Sequence, residues 1–264
     1  MTNCFICEQT SKFYFRKQFN EYGLGDVDYY KCTNCGFVFS KTHRDMDEKS
    51  WEELNRTYHT DFDDPNIVNS ANSPPYLMQA AMLDVLLKNK LVKPDEWLDW
   101  GSGYGRFAGI LEKYFSINIY NYDKYMPPQK NFLSEREVSD RKYSVVINSA
   151  VFEHVTDRRY LDEISALVSD DGCLIFHTVV CETVPQDPDW FYLLPVHCAF
   201  HTNKSMGILM EQWGYACSIY CPTSKMWILF KKKPQKVEEA VNLINIEFQT
   251  DFLHFKTGFV DYWK

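Results

Sequence analysis

Long apolar runs are missing from this 264-residue chain: no stretch approaches the roughly 18 residues that a membrane-crossing helix requires. Positive charge is scarce as well. Lys and Arg number 28 against 36 Asp and Glu, for a formal net charge of −8 and a pI near 5.4. Phosphate-rich partners, nucleic acid or anionic membrane, attract basic faces, so this balance argues against them. Internal repeats and low-complexity tracts are absent. The start, MTNCFICEQT, lacks the basic and apolar regions of a secretion signal, which makes a cytoplasmic location the expectation. Disulfides are rare there, so the nine cysteines are expected to be reduced thiols or metal ligands. The apolar content, 45%, suffices for one main globular domain with room for a small accessory one.

Four of the cysteines are paired. Cys4 and Cys7 form one C-x2-C knuckle and Cys32 and Cys35 another, with 24 residues between them. Four thiolates at this spacing suit a tetrahedral zinc ion, and a segment of this size needs such a staple because its own apolar burial is too small. The expected division is a zinc ribbon over 1–44 and an acidic linker over 45–72 with one short helix at 50–58. A main domain follows over 73–233, then a helical extension over 234–264. Cys173, Cys181, Cys198, Cys217 and Cys221 show no pairing and read as core thiols.

Within 73–233, strand and helix patterns alternate. SPPYLMQAAMLDVLLKN reads as a helix capped by Ser73 and begun by Pro74, with Leu77, Ala80, Ala81, Leu83, Val85 and Leu87 as its apolar positions. WLDW, INIYNYD, KYSVVIN and CLIFHTVV read as strands, the last entered by a turn at Asp171-Gly172. YGRFAGILEKYF, RRYLDEISALVS and NKSMGILMEQWG read as helices, the last ended by Gly214. YACSIYC and KMWILFKK close as a strand pair, and a short strand is expected near Asn131–Leu133. The alternation predicts a mostly parallel α/β sheet with helices on both faces.

Behind WLDW the chain runs Asp99-Trp-Gly101-Ser102-Gly103-Tyr-Gly105. A dinucleotide fingerprint would carry its third glycine where Arg106 stands, and the carboxylate of Asp99 would repel a pyrophosphate. The same carboxylate favours a cationic ligand in a recessed site. INIYNYD ends in Asp123, 18 residues after Gly105, placed to accept hydrogen bonds from ribose hydroxyls. A cationic, amino-acid-bearing nucleoside satisfies both acids, and S-adenosylmethionine is such a molecule.

With LDWGSGYG, the acid of NYD, and NSAVFEHV after KYSVVI on the page, the chain from about Ser73 to Lys233 resembles the class I S-adenosylmethionine-dependent methyltransferases. The resemblance implies a Rossmann-like seven-stranded sheet whose last strand is antiparallel. It implies that Asp99, Gly101, Ser102 and Gly103 line the methionine part of the cofactor and that Asp123 binds the ribose. Lys124 and Tyr125 would flank the adenine, and Asn148 and Ser149 would pass under the reactive methyl. A zinc ribbon joined to this fold resembles a bacterial group acting on sugar-like acceptors in natural-product and cell-surface pathways. The best-known members are longer, with a further C-terminal domain.

The acceptor side is read from histidines. His154, in VFEHV, falls beside the expected methyl group. His197 and His201 lie in a loop rich in aromatics (Trp190, Phe191, Tyr192, Phe200) expected to roof the acceptor. His197 and His154 are the candidate bases for taking a hydroxyl proton, although in-line positioning supplies much of the rate of methyl transfer. SPPY at Ser73–Tyr76 mimics a motif of amino-methylating enzymes, but it stands before the first strand rather than after the fourth, so a helix start is the simpler reading. O-methylation of a small or sugar-like acceptor is the favoured expectation. An RNA methyltransferase using the ribbon to grip nucleic acid is the alternative, and a catalytically inactive binding module is a third reading. Residues 1–44 hold six basic side chains (Lys12, Arg16, Lys17, Lys31, Lys41, Arg44) against four acids (Glu8, Glu21, Asp26, Asp28), a slight excess for nucleic acid.

Overall fold

A computed structural model describes residues 2–62, 74–126 and 131–262. The N-terminal segment folds as strands β1 (Thr2–Asn3), β2 (Thr10–Phe19), β3 (Gly25–Cys32) and β4 (Val38–Ser40), followed by a short helix α1 (Lys41–Arg44) and a longer one, α2 (Glu48–Phe62). α2 outruns the expected 50–58 in both directions. Asp47 caps it by accepting the Ser50 amide at 3.0 Å, and Trp51, Leu54 and Tyr58, three to four residues apart, are buried against Val196 and Cys198. Asp47, Glu48 and Glu53 lie on its exposed side.

The remaining elements are α3 (Tyr76–Lys88), β5 (Trp97–Trp100), α4 (Arg106–Phe115), β6 (Tyr120–Tyr122), α5 (Glu135–Ser139) and β7 (Tyr143–Ser149). A 3-10 turn (Phe152–His154), α6 (Arg158–Ala166), β8 (Val168–His177), β9 (Val180–Cys181), β10 (Ala199–Thr202) and α7 (Asn203–Gln212) follow. The chain closes with β11 (Cys217–Cys221), β12 (Met226–Phe230), α8 (Val237–Phe248) and β13 (His254–Thr257). One sheet has the order β13-β11-β12-β8-β7-β5-β6. β6, β5, β7 and β8 are parallel, and β12 turns antiparallel to β8. Val145, Val146, Ile147, Leu174, Ile175 and Phe176 are fully buried, as expected of parallel strands covered on both faces. One core packs α3, α4 and α8 on the sheet, and the other packs α6 and α7 together with the ribbon residues Ile6, Phe37 and Phe39.

The α/β class and the seven-stranded sheet agree with expectation, but the membership of the sheet differs. The strand expected at Asn131–Leu133 contributes a single parallel bridge, Asn121 to Phe132. The seventh strand comes from the C-terminal tail, where β13 pairs antiparallel with β11. The tail is therefore more than helical. Trp227 donates to the Val260 carbonyl at 2.8 Å, and Phe259 and Val260 are buried.

Two local readings also change. Asp171 and Gly172 lie inside β8, where the register with β7 jumps from Tyr143–Val168 to Val145–Cys173. A side chain at Gly172 would stand 2.7 Å from the Ser144 carbonyl, so the two backbones meet where only hydrogen fits. In α3, Leu77 is 56% exposed and the buried face is Gln79, Ala80, Met82, Leu83 and Leu86. The expected cap, Ser73, lies outside the described residues, and the helix starts at Tyr76 rather than Pro74.

The ribbon does not end at its own last strand. β4 pairs antiparallel with β10, which pairs parallel with β9, giving a second sheet of order β1-β2-β3-β4-β10-β9. Thr202 ties the two parts again: its hydroxyl donates to the Cys35 carbonyl at 2.6 Å and accepts the Ser205 amide at 3.1 Å as the cap of α7.

Candidate active site

A cavity of about 920 Å³ opens at the C-terminal ends of β5, β6, β7 and β8, the crevice where parallel α/β sheets bind ligands. Its floor is the glycine turn. The Gly101 and Ser102 amides donate to the Tyr122 carbonyl at 2.8 and 3.1 Å, which fastens the turn to the tip of β6. Gly101 has φ +78°, and a Cβ there would lie 2.6 Å from a methyl of Val151. Conformation and space both require glycine.

Asp99 is 2% exposed, and burial, helped by the Asp123 charge, raises its pKa to about 7. It stands behind the cavity lining, whereas Gly101, Ser102, Gly103, Asp123, Lys124, Tyr125 and Ser149 are part of that lining. Asp123 accepts the amides of Gly103 at 2.9 Å, Tyr125 at 2.8 Å and Met126 at 3.1 Å, so it organises both the glycine turn and the loop after β6. Lys124 pairs with Glu48 at 3.0 Å and lies over the Tyr125 and Tyr160 rings. Burial raises the Tyr125 hydroxyl to about 12. Asn148 does not reach the cavity. It is fully buried, and neither atom of its amide has a partner among the described residues. Ser149 donates to Gln79 on α3 at 3.1 Å.

The opposite wall is assembled from distant segments. Glu153 and His154 sit on the 3-10 turn after β7, His197 on the loop between β9 and β10, and His59 on α2; all four line the cavity. Glu153 is 1% exposed and accepts from the Tyr192 hydroxyl at 2.6 Å and the Thr178 hydroxyl at 2.9 Å. Desolvation raises its pKa, and these hydrogen bonds partly oppose the rise. The His197 Nδ1 donates to the Tyr192 carbonyl at 2.8 Å, and burial lowers its pKa to about 3. His154 is held well below the usual imidazole range, mainly by burial. Its ring centroid lies 4.8 Å from that of His197 and 5.3 Å from that of His59. Both candidate bases are thus neutral imidazoles side by side.

His201 departs from expectation. It is fully buried in β10 between Phe37 and Phe152, at ring-centroid distances of 5.0 and 5.8 Å, and is absent from the cavity lining. Phe200 likewise packs in the core beside Tyr29. His59 and His177 are cavity residues that sequence reading passed over. His177 had a usable signal, since it ends the strand paired with β7, opposite Ser149. His59 had little, because the acids around it drew the reading towards a linker. Pro74, Pro75 and Tyr76 of the SPPY stretch line the cavity through the start of α3.

The four N-terminal cysteines converge as their spacing implied. Their sulfurs lie within 4.8 Å of one another, with Cys4 to Cys35 at 3.7 Å and Cys7 to Cys32 at 3.5 Å. Amides point at sulfur from Ile6 to Cys4 at 3.4 Å and from Asn34 and Cys35 to Cys32 at 3.4 and 3.5 Å. A hydrogen bond from the Cys35 thiol lowers the Cys4 pKa to about 6. This donor set, with its amide support, fits a tetrahedral thiophilic cation.

Comparisons with known proteins bear on this site. No curated protein matches the chain. Among solved structures, the magnesium protoporphyrin IX methyltransferase ChlM from Synechocystis PCC 6803, with bound SAH, is 16% identical over 67% of this chain and 97% of its own, at a TM-score of 0.45. The plantazolicin methyltransferase BpumL is 12% identical over 81% and 97%, at 0.46. An O-methyltransferase from a trans-AT PKS multienzyme of Brevibacillus brevis is 15% identical over 67% and 69%, at 0.37. The family described as "Methyltransferase domain" matches residues 75–218, from the start of α3 to β11. That match spans more than half of the chain and takes in the glycine turn, the β6 acid and the β7 tip, and so the chain belongs to the methyltransferase domain family.

Proposed function

We propose that this chain is an S-adenosylmethionine-dependent methyltransferase acting on a small, sugar-like acceptor, with a hydroxyl oxygen as the methylated atom and a structural zinc ion on Cys4, Cys7, Cys32 and Cys35. One observation carries the reading: two carboxylates, Asp99 and Asp123, stand at the tips of adjoining parallel strands with the Gly101 turn between them. The raised pKa of Asp99 marks a buried site that gains from a nearby cation. S-adenosylmethionine supplies a methyl carbon on a cationic sulfur.

The residues divide the work. Gly101, Ser102 and Gly103 let the backbone approach the ligand, and Asp123 presents its carboxylate where ribose hydroxyls would lie. Tyr125, at 12 or so in pKa, remains a neutral hydroxyl that can flank a base. Trp190, Phe191 and the buried Tyr192 give the acceptor side an aromatic wall. His154 and His197 are the groups placed to receive the acceptor's proton. Their neutrality suits them to accept it, but at about 3 the pKa of His197 makes it a weak base, so alignment of the hydroxyl carries most of the rate. The cavity's enclosure by aromatics, with a net charge of −8, supports a small acceptor over RNA.

Calorimetry with S-adenosylhomocysteine tests the cofactor assignment: the wild type should bind it and Asp123→Ala should not at comparable concentrations. Equal affinities would remove the ribose assignment. Mass spectrometry across nucleotide sugars, cell-surface precursors and RNA then reads out the acceptor, and a product among RNAs alone would replace the sugar reading.

A further inference from the structure

We propose that Glu153, His154 and His197 form a second metal site, which holds a divalent transition ion against the acceptor hydroxyl in the methyl-transfer cavity. This deepens the reading above, rests on it for the acceptor's position, and replaces the proton-accepting role of His154 and His197, because an ion takes the lone pairs that a base would use. One ligand atom from each of the three residues lies within 4.8 Å of the others. Nothing in the four-cysteine cluster takes part.

The surrounding bonds prepare each ligand. His197 gives its Nδ1 proton to the Tyr192 carbonyl, which fixes the tautomer and leaves the lone pair on Nε2. The Val196 carbonyl lies close enough to the His154 ring to act on it, and Nδ1 is buried with no partner among the described residues. Each oxygen of Glu153 accepts one hydroxyl proton, from Tyr192 and from Thr178, and keeps a free lone pair. A histidine bonded to a carbonyl and a carboxylate bonded to hydroxyls are the kind of outer shell that orients metal ligands. Tyr192 supports two of the three ligands, by its carbonyl and its hydroxyl.

Glu153 is 1% exposed, no Lys or Arg pairs with it among the described residues, and the one positive group acting on it is the more distant His59. A buried carboxylate beside two neutral imidazoles is costly unless a positive charge joins it. Two nitrogens and one oxygen suit zinc, iron(II) or cobalt(II) better than magnesium or calcium. His59, 5.3 Å from His154 between ring centroids, stands near an open position, and the rest faces the cavity.

An ion there withdraws charge from the acceptor oxygen and favours loss of its proton to solvent. That oxygen then forms the bond to the methyl carbon as the carbon–sulfur bond breaks and its electron pair returns to sulfur. One proton is released per methyl transferred.

The test is cobalt(II) loading of the tag-free full chain, read by absorption and by metal content. Cobalt on the thiolate cluster gives sulfur-to-metal charge-transfer bands along with its own d–d bands, whereas an ion on imidazole and carboxylate adds d–d absorption without charge transfer. The expected wild type holds two ions. His154→Ala and His197→Ala should each lose one ion and that added absorption and keep the charge-transfer bands, and retention of those bands reports that the variant has folded. A wild type with thiolate bands alone, or a double variant that keeps its second ion, overturns the site. Should the alanine variants lose both signals, Glu153→Gln and anomalous scattering from wild-type crystals at the cobalt edge decide: a peak between His154 and His197 supports the site and its absence overturns it. Calorimetry with S-adenosylhomocysteine on the same samples separates the two readings. Nucleoside binding without a second ion rejects this inference alone, and a second ion without nucleoside binding rejects the cofactor reading instead.

Discussion

The two walls of the cavity are built in opposite ways. The wall proposed for the cofactor is almost continuous in sequence: Trp100 to Tyr104 forms the turn, and Asp123 to Met126 forms the loop beside it. The acceptor wall draws His59 from α2, Glu153 and His154 from the turn after β7, and Tyr192 and His197 from the loop before β10. The first wall is held by local backbone hydrogen bonds to Asp123 and Tyr122. The second is held by the ribbon, because β4 pairs with β10 and α2 packs on Val196 and Cys198. A local wall should withstand damage elsewhere in the molecule, and an assembled wall should not.

Removing half of the ribbon's four-thiol cluster, the proposed zinc site, is the strongest way to break this comparison. Cys32→Ser with Cys35→Ser deletes half of the thiol cluster, and structural zinc sites of this type commonly supply much of a small module's folding energy. The expected result is a fall in Tm of about 10 °C or more, with loss of acceptor turnover. S-adenosylhomocysteine binding, measured by calorimetry below that Tm, should survive within about fivefold, a difference of roughly 1 kcal/mol. Equal loss at both walls would show that the ribbon supports the whole cavity.

Acidity separates the walls by sign. Asp99 titrates near 7 in the folded chain against about 3.8 ordinarily, so its protonated form is favoured by the fold. Its contribution is complete below about 4 and is lost as pH rises through about 7, and a displacement of that size corresponds to roughly 4 kcal/mol at most. The buried imidazoles act in the other direction. His177 is lowered to about 4 and His197 to about 3, chiefly by burial. Their contribution is present above the ordinary value of 6.5 and is lost as pH falls towards those values. Tm measured from pH 4 to pH 8 should therefore lose its decline on the alkaline side in Asp99→Asn while keeping its decline on the acid side. An Asp99→Asn profile parallel to wild type would sink this assignment.

Asp123→Ala should follow in size. Three amides, those of Gly103, Tyr125 and Met126, lose their acceptor together with whatever the carboxylate offers a ribose. Hydrogen bonds to charged groups contribute about 1.5–3 kcal/mol each, so affinity for S-adenosylhomocysteine should fall about 100-fold by calorimetry. Glu153 and His154 stand apart from that loop, and cobalt bound at the acceptor wall should remain.

The same contrast explains what could be read in advance. Gly101, Asp99 and Asp123 were visible because a tight βα turn leaves a dense local record in residue type. The cysteine knuckles were visible because a repeated C-x2-C spacing brings four sulfurs together. The acceptor wall left no comparable record. Glu153 and His154 adjoin in sequence, yet Tyr192 and Thr178, which hold the carboxylate, lie on separate segments and look like any aromatic and any hydroxyl. His201 carried the same signal as His197 four residues away, and only the pairing of β10 with β4 decides that one lies in the core and the other at the cavity. The strand expected at Asn131–Leu133 failed because three residues with one bridge do not make a strand, while the tail supplied an edge by pairing across a sequence separation that no local pattern encodes.

Lys124 is where the two walls touch, and it yields the smallest expected effect. Its ammonium reaches Glu48 at 3.0 Å and Glu52 at 3.8 Å on α2, from the loop that Asp123 organises. Desolvation opposes the charge of Lys124, but Glu48 and the neighbouring tyrosines hold its pKa above the usual lysine value. The Glu48 side chain is 69% exposed, so water and salt screen the pair, and such pairs contribute about 0.2–1 kcal/mol. Lys124→Gln should lower Tm by no more than about 4 °C and weaken S-adenosylhomocysteine binding by less than about fivefold. The effect should shrink in high salt, where wild type and variant converge. A much larger loss confined to acceptor turnover would mean that α2 is positioned through Lys124 rather than through Trp51, Leu54 and Tyr58, and the acceptor wall would then depend on the cofactor loop instead of the ribbon.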